Sequence, residues 1–234
     1  MKLAIMQPYF FPYIGYFQMI NAVDEFVVYD NIEYTKKGWI NRNRILVDGK
    51  DAYISLPLRK DSDFLQVKDR CLADTWAVEK KKMLNRITES YRKAPQFAEV
   101  FPLIQTCLQF EDSNLFNFIL HSIRQVNTFL GIPTQLVISS SVPIDHQLKS
   151  EEKVIAITKT RNASVYMNPI GGLELYSKEN FKESGIDLIF HKARSITYQQ
   201  LKNEFVPWLS IIDVMMFNSK DAVRDFLEAY DTLS

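Results

Sequence analysis

Polar aromatic residues are concentrated in one short segment near the N-terminus, directly after an apolar run. Tyr9, Tyr13 and Tyr16 lie close together, preceded by Gln7 and accompanied by Gly15. A buried tyrosine hydroxyl needs a hydrogen-bond partner, and its ring can pack on a sugar or a nucleobase. Gln7 can donate to a developing oxyanion, and Gly15 is predicted to begin a helix whose N–H groups favour a phosphate. The segment predicts a small-molecule pocket, with core packing as the alternative.

A second cluster of hydrogen-bonding side chains follows in the next loop. Trp39 can stack on a base or a sugar, and Asn41 and Asn43 can each donate and accept hydrogen bonds. Arg42 and Arg44 can each bind a phosphate or a carboxylate through two parallel hydrogen bonds. Together these residue types favour a compact anionic ligand such as a diphosphate. The alternative is a solvated hairpin arm.

A third motif runs from Asn168 to Gly172, after a predicted strand and before Tyr176. Its adjacent glycines, Gly171 and Gly172, can form a nest of backbone N–H groups that binds an anion. They can equally form a tight turn without a ligand, because glycine allows positive φ. The position after a strand favours binding, which adds Asn168 and Tyr176 to the candidate site.

Two carboxylates are candidates for proton transfer. Asp30 is predicted at the end of the second strand, where it can orient a hydroxyl or act as a base. Asp213 lies in a segment that is apolar on nearly all sides, so we expect it to be buried and either paired or perturbed. A purely structural bond is the alternative for Asp213. The histidines His121, His146 and His191 are interpreted as structural or surface groups.

Apolar periodicity predicts the elements that position these groups. The predicted strands are residues 3–6, 26–29, 44–47, 52–56, 135–138, 165–167 and 186–190. The predicted helices are residues 17–23, about 74–91, 97–108, 115–130, 150–161, 178–183, 208–217 and 221–230. Asp48 and Gly49, between two short alternating stretches, are a strong hairpin signal.

Strands that alternate with helices predict an α/β fold with a Rossmann-like, mostly parallel sheet of the nucleotidyltransferase type. The segment at about 72–131 is too long for a plain crossover connection between two strands. It predicts a mainly helical insertion, in addition to the β-hairpin. Because no linker or repeat is visible, residues 1–234 are interpreted as a single domain.

The composition narrows the class of ligand. Lys plus Arg equals Asp plus Glu at 28 each, so the net charge is zero and nucleic acid is not expected as the main ligand. The 2 cysteines form no CxxC motif and the 3 histidines have no zinc spacing, so no metal site is predicted. Without an export signal or an apolar run of roughly 20 residues, we expect a cytoplasmic protein with no membrane partner. The cofactor and the oligomeric state stay open.

Five blocks of this sequence resemble the WbqC-like protein family over essentially the whole chain. They are QPYFFPYIGYF at 7–17, GW with NRNR at 38–44, NP with GG and LY at 168–176, LSIID at 209–213 and MFN at 216–218. Members occur in bacterial gene clusters for O-antigen, the polysaccharide of lipopolysaccharide, and for related polymers. The resemblance implies a glycine or other aminoacyl transferase.

We therefore predict a transferase that attaches an acyl group, glycyl or another aminoacyl, to the amino group of a nucleotide-linked amino sugar. Its partners are that sugar nucleotide and an acyl donor, both small molecules. In this hypothesis Arg42 and Arg44 hold the diphosphate, and Asp30 or Asp213 accepts the amine proton. The oxyanion is bound by the side-chain amide of Gln7, Asn41 or Asn168.

Two alternatives remain open. The layout of residues 12–16 is similar to the HxGH loop of nucleotidyltransferases, with Tyr13 and Tyr16 in place of the histidines. It favours an ATP-dependent ligase or a nucleotidyltransferase-like enzyme. The lack of a recognisable nucleophile favours a non-catalytic module that binds sugar nucleotides.

Overall fold

The computed structural model describes residues 1–202 and 204–233. The strands are β1 (Lys2–Met6), β2 (Glu25–Val28), β3 (Arg42–Val47), β4 (Lys50–Ser55), β5 (Gln135–Ile138), β6 (Val165–Pro169), β7 (Asp187–Ala193) and β8 (Tyr230–Leu233). The larger sheet has the order β5-β2-β1-β6-β7-β8, and β3 pairs with β4 in a separate sheet. Neighbours in the larger sheet are parallel except β7 and β8. The predicted Rossmann-like, mostly parallel sheet is confirmed.

The helices cover both faces of the larger sheet. They are α1 (Ile14–Asn21), α2 (Trp76–Tyr91), α3 (Phe97–Leu108), α4 (Leu115–Leu130), α5 (Ser150–Thr160), α6 (Lys178–Glu183), α7 (Ile211–Phe217) and α8 (Lys220–Leu227). Short 3₁₀ turns occupy Val67–Asp69, Ser139–Ser141 and Ile170–Leu175. Helix α4 has clear end signals, because the Asn114 side chain accepts from the N–H of Asn117 and Gly131 has a φ of 72°.

Strand alternation produces two apolar cores. Leu3 and Ile5 of β1 face a core shared with α5 and α6, whereas Ala4 faces a larger core that contains residues of α1 to α4, α7 and α8. Successive strand residues point to opposite faces of a sheet, so a parallel sheet covered on both faces needs apolar residues at every position. The uninterrupted apolar runs of β1 and β2 satisfy this requirement. The sheet is therefore the middle layer of three.

The hairpin of β3 and β4 has the predicted two-residue turn. Val47 pairs with Lys50, so Asp48 and Gly49 form the connection. Both turn residues have positive φ, 49° and 76°, as a type I′ turn requires. The hairpin packs beside α2 and α7, and it carries Asn43 and Arg44 towards the larger sheet.

Two elements near the C-terminus differ from prediction. Helix α7 begins at Ile211 instead of residue 208, because Ser210 caps it and Trp208 has a φ of 61°, outside the helical region. Helix α8 ends at Leu227 instead of residue 230, and the chain then forms β8, which pairs antiparallel to β7.

Of the helices in the described ranges, none is both long and apolar enough to cross a bilayer.

Candidate functional site

The order in which strands are added to the larger sheet reverses at β1. From β1 the chain continues to β2 on one side, whereas the strands on the other side, β6 and then β7, come later in the chain. Ligands of open α/β sheets bind beyond the carboxyl ends of the strands at such a switch point. A pocket of about 330 Å³ lies there, with Met6, Pro169 and Ala193 from the ends of β1, β6 and β7 in its wall. The topology and the pocket thus indicate the same edge of the sheet.

The pocket collects part of the predicted site. The predicted residues that line it are Tyr9, Tyr13, Gly15, Tyr16, Trp39, Asn43 and Arg44. The predicted residues that do not line it are Gln7, Asp30, Asn41, Arg42, Asn168, Gly171, Gly172, Tyr176 and Asp213. The remaining lining residues, which sequence reasoning did not select, are Met6, Pro12, Met19, Pro169, Ile170, His191, Ala193 and Trp208.

Hydrogen bonds to backbone carbonyls hold the loop that carries the tyrosines. The Asn43 side chain donates to the carbonyls of Phe10 and Phe11, at 3.2 and 2.9 Å, and Ser210 Oγ donates to that of Phe11 at 2.7 Å. Phe11 has a φ of 40°, an uncommon conformation for a bulky residue. The amide nitrogen of Asn43 is therefore used to fix the loop that places Tyr9 and Tyr13.

The three pocket tyrosines differ in what their hydroxyls contact. Tyr16 is buried and donates to the carbonyl of Gln7 at 3.0 Å, so its hydroxyl is already used. Burial raises the pKa of Tyr9, and it raises the pKa of Tyr13 to about 12. Both stay protonated at neutral pH and can donate to a ligand. The ring of Tyr13 packs on that of Trp208, with centroids 5.1 Å apart.

Arg44 is the cation among the described lining residues, and much of its charge is already compensated. Its Nη1 pairs with Asp51 at 3.1 Å, and its Nη2 donates to the carbonyl of Trp208 at 3.2 Å. Its guanidinium lies 5.6 Å from the centroid of the Trp39 ring. The buried Nε has no partner among the described residues. A guanidinium has five N–H groups, so Arg44 keeps a second N–H on Nη1 and on Nη2 besides the buried Nε–H.

Asn41 and Arg42 form the arm of the hairpin and lie outside the pocket. Arg42 donates to the carbonyls of Gly38 and Lys37, at 3.1 and 2.7 Å, and its guanidinium covers the ring of Tyr53. The amide of Asn41 accepts from a tyrosine hydroxyl and donates to a backbone carbonyl. These contacts correspond to the hairpin-arm alternative, and they engage the guanidinium of Arg42 outside the pocket lining.

Asp30 is almost fully buried at the end of β2, and Ser140 binds both of its oxygens. The backbone N–H of Ser140 donates to Oδ1 at 2.8 Å, and its hydroxyl donates to Oδ2 at 2.6 Å. These bonds connect the end of β2 to the turn after β5. The carboxylate thus lies at the predicted edge of the sheet and is used in a structural contact.

The Asn168 motif contributes to both sides of the sheet at the end of β6. Pro169 and Ile170 line the pocket, whereas Asn168 and Tyr176 contact Tyr166, which belongs to the core on the other face. Tyr166 donates to Asn168 Oδ1 at 3.2 Å, and Tyr176 packs edge-on against Tyr166. A Cβ at Gly172 would collide with the Asn168 amide nitrogen, which explains the need for glycine there. A Cβ at Gly171 would meet nothing within 4 Å. There is therefore free space beside Gly171, whereas Asn168 fills the space beside Gly172.

Asp213 is enclosed in the helical layer and does not reach the pocket. It is 0% exposed and accepts from the hydroxyls of Tyr91 and Tyr198, at 2.8 and 2.6 Å, and from the Gln200 amide at 2.7 Å. Burial raises the pKa of Asp213, and the three hydrogen bonds oppose that rise. Asp213 is therefore buried as expected, and its hydrogen bonds favour the structural role over proton transfer.

His191 lines the pocket, whereas the sequence favours a structural or surface role for it. It is 4% exposed, and its Nε2 has no partner among the described residues. Burial lowers the pKa of His191 to about 4, against a backbone hydrogen bond that acts in the other direction. The imidazole is therefore neutral at physiological pH. Strand alternation was the available signal, because it places His191 on the same face as Ile189 and Ala193.

In the described part of the chain, no group of three or more His, Cys, Asp or Glu side chains is placed to hold a metal ion.

The fold and the pocket define a Rossmann-like α/β protein with an aromatic pocket at its switch point. A family model described as the WbqC-like protein family matches residues 7–225, and the chain belongs to that family. The chain is 29% identical over 232 residues to a Mycobacterium tuberculosis protein named "Uncharacterized protein Rv1507c", covering 97% of each chain. No solved structure matches the chain.

Proposed function

We propose that this chain is a transferase that attaches an acyl group, glycyl or another aminoacyl, to the amino group of a nucleotide-linked amino sugar in surface-polysaccharide biosynthesis. The observation that carries the proposal is the aromatic pocket at the switch point of a Rossmann-like sheet, a position that suits a nucleotide or a sugar. Membership of the WbqC-like family supports the polysaccharide context.

The size of the pocket suits one ring system of such a ligand. Its volume of about 330 Å³ is near the lower end for small-molecule sites. Trp39 and Trp208 line it and are 39% and 51% exposed. In the proposal, a sugar or base ring enters the pocket between the tyrosines, and the rest of the sugar nucleotide extends past these two indoles. Aromatic rings bind such flat or ring-shaped groups on their faces.

The charge distribution favours a diphosphate at the rim. A diphosphate inside the aromatic pocket would lose its hydration without an unpaired cation to replace it. At the rim, Arg44 can use the N–H groups of Nη1 and Nη2 that Asp51 and the Trp208 carbonyl do not occupy, and Gly171, which has open space beside it, follows Ile170 in the pocket wall. We therefore assign diphosphate binding to Arg44 and the Gly171–Gly172 turn, and we give Arg42 a supporting role in shaping the arm.

The proposed chemistry depends on positioning. The sugar amine attacks the acyl carbonyl, a C–N bond forms, and the bond to the leaving group breaks. The departing group takes up the proton that the amine loses. Holding two reactants in a reactive geometry can supply several kcal/mol of the barrier without a strong base. Asp213 is enclosed and Asp30 is held by Ser140, so neither is free to approach the amine in this structure. Gln7, directly after β1, remains the proposed oxyanion donor.

Isothermal titration with UDP-glucosamine tests the proposal. We expect the wild-type chain to bind it, and Arg44→Ala to bind about tenfold more weakly, because a hydrogen bond to a charged group contributes about 1.5–3 kcal/mol. Arg59→Ala is the matched control, since Arg59 is exposed and paired with exposed Asp74. Absence of heat with the wild-type chain would overturn the proposal.

A non-catalytic module that binds sugar nucleotides is the second candidate function. The observation that favours it is that both carboxylates selected as bases already accept hydrogen bonds within the chain. Asp30 accepts from Ser140. Asp213 accepts from Tyr91, Tyr198 and Gln200. Incubation of the bound sugar nucleotide with acyl donors, followed by mass spectrometry, separates the two. Binding without any acylated product from thioester, aminoacyl-tRNA or ATP-activated donors would favour the module.

An ATP-dependent ligase or a nucleotidyltransferase-like enzyme is the third candidate. Its signal is the loop at 12–16, in which Tyr13 lines the pocket but the Tyr16 hydroxyl is bound to the Gln7 carbonyl. A titration with ATP in place of UDP-glucosamine identifies this function. Tight ATP binding together with pyrophosphate exchange would replace the transferase proposal.

A further inference from the structure

We propose that His191 is a specificity-determining residue of the switch-point pocket, whose Nε2 accepts a hydrogen bond from an uncharged O–H or N–H group on the ring of the ligand. This inference rests on the proposed function, because it assigns a recognition role within the same pocket.

The first observation is the position of His191 in β7, on the face of the sheet that borders the pocket. Ile189, His191 and Ala193 alternate along the strand, and the first of these packs against the core that contains α1. A Cβ at Gly15 of α1 would lie 3.3 Å from the Ala193 Cβ, so helix and strand approach closely just beyond His191. The pocket lies on this same face, and His191 forms part of its wall.

The second step is the unpaired acceptor. A buried polar atom without a hydrogen bond costs about 1–3 kcal/mol of stability, so such atoms are rare and call for an explanation. The His191 ring contacts that of Tyr230, with centroids 4.7 Å apart, and this packing uses the ring face and leaves Nε2 without a partner. A ligand in the pocket would supply the missing donor.

The third step concerns the tautomer. The effect that raises the pKa of His191 comes from the residue's own backbone, which the nearer ring nitrogen, Nδ1, can reach and Nε2 cannot. A bond from Nδ1–H to a backbone carbonyl places the lone pair on Nε2, which then acts as an acceptor. The ring stays neutral because burial lowers the pKa of His191 to about 4.

That same value argues for recognition over proton abstraction. A general base is most effective when its pKa lies near the working pH, and a pKa of about 4 is far below neutrality. A neutral acceptor, by contrast, selects a ligand strongly, since an analogue without the donor leaves the buried nitrogen unpaired. The complementary chemistry is a sugar hydroxyl or amine, or an N–H of a nucleobase.

Titrations with two variants of the full chain test this role. His191→Phe keeps a ring of similar size and removes the acceptor, whereas His191→Gln keeps an uncharged acceptor. His121→Phe is the matched control, because His121 also has an unpartnered Nε2 but stacks on Phe110 at 4.1 Å and does not line the pocket. The probes are UDP-glucosamine, UDP and methyl glucosaminide, so that the sugar and the nucleotide are separate arms.

We expect His191→Phe to weaken UDP-glucosamine binding about tenfold, His191→Gln to recover part of that loss, and His121→Phe to bind like wild type. A loss that persists with UDP assigns the contact to the nucleotide, and a loss confined to methyl glucosaminide and UDP-glucosamine assigns it to the sugar. Either result supports the inference. Equal affinity of His191→Phe and wild type overturns it and leaves the transferase proposal intact, whereas a wild-type chain that binds no probe overturns both.

A spectroscopic measurement on the unmodified chain covers the case in which His191→Phe does not fold. The imidazole nitrogen resonances report which nitrogen is protonated and whether Nε2 gains a hydrogen bond. We expect an unprotonated Nε2 that shifts when UDP-glucosamine is added. An Nε2 resonance that stays unchanged at saturation would overturn the inference.

Discussion

Two buried titratable groups, Asp213 in the helical layer and His191 at the pocket, are surrounded in opposite ways. Asp213 accepts three hydrogen bonds from Tyr91, Tyr198 and Gln200, which come from α2 and from the segment after β7. His191 has comparable burial, and its Nε2 has no donor among the described residues. Both groups are removed from water, and the surrounding residues satisfy only one of them.

The difference separates a structural contact from a binding contact. A carboxylate with three donors is a fully satisfied network that joins segments distant in sequence, and Tyr91 extends it by accepting from the Leu46 N–H of β3. The unsatisfied acceptor of His191, a residue of the pocket wall, adds no stability to the fold. On this comparison we assign Asp213 to stability and His191 to recognition.

Removing the carboxylate tests the structural half of the comparison and has the largest expected effect. Asp213→Ala leaves three buried donors unpaired, so we expect the free energy of unfolding to fall by about 3–5 kcal/mol. Urea denaturation measures it, with Asp225→Ala, an exposed position in α8, as the control. A loss below about 1 kcal/mol would show that the donors find other partners and that the network is dispensable.

The pH dependence of stability tests the second half, with a smaller effect. His191 has a pKa of about 4 in the folded chain and about 6.5 when unfolded, so the unfolded state binds more protons between these values. Stability therefore falls as pH decreases through this window. We expect the loss between pH 7 and pH 5 to be about 1–2 kcal/mol smaller in His191→Phe than in wild type.

Urea denaturation at the two pH values provides this measurement. The raised pKa of Asp213 gives a contribution of opposite sign at low pH, because there the folded state binds the extra proton. The comparison of wild type with His191→Phe cancels that contribution, since both chains keep Asp213. Parallel stability curves for the two chains would show that His191 is protonated equally in both states.

Most of the sheet could be predicted from local sequence. The apolar runs of β1 and β2 and the Asp48-Gly49 turn depend on nearby residues alone. Strand β8 was missed because its conformation comes from pairing with β7, and its four residues carry no apolar run. The early end of α8 follows from the same pairing.

Part of the lining of the candidate pocket could be selected from the sequence, for a different reason. The tyrosine segment, Trp39 and Arg44 are distinctive as residue types, so composition was enough to select them. Whether a polar side chain faces a ligand depends on its partners, and those partners are distant in sequence. Asp213 is 122 residues from Tyr91, so the nearby sequence could not show that this carboxylate has hydrogen-bond partners. His191 became a candidate only when the packing of α1 on β7 placed the pocket beside it.

Backbone strain in the pocket wall gives the last and smallest effect, because Trp208 has a φ of 61°. This left-handed conformation costs a side chain with a Cβ about 1 kcal/mol relative to glycine. We therefore expect Trp208→Gly to be more stable to urea than Trp208→Ala by about 1 kcal/mol.

Trp39 supplies the matched comparison, because it lines the same pocket without a positive φ. There the order should reverse, with glycine less stable than alanine by about 0.5–1 kcal/mol through its greater freedom when unfolded. The Trp208 conformation persists because Arg44 holds its carbonyl and Tyr13 packs on its ring. If both positions showed the same order, the strain would not be located at Trp208, and the contrast between the pocket and the Asp213 cluster would rest on hydrogen bonding alone.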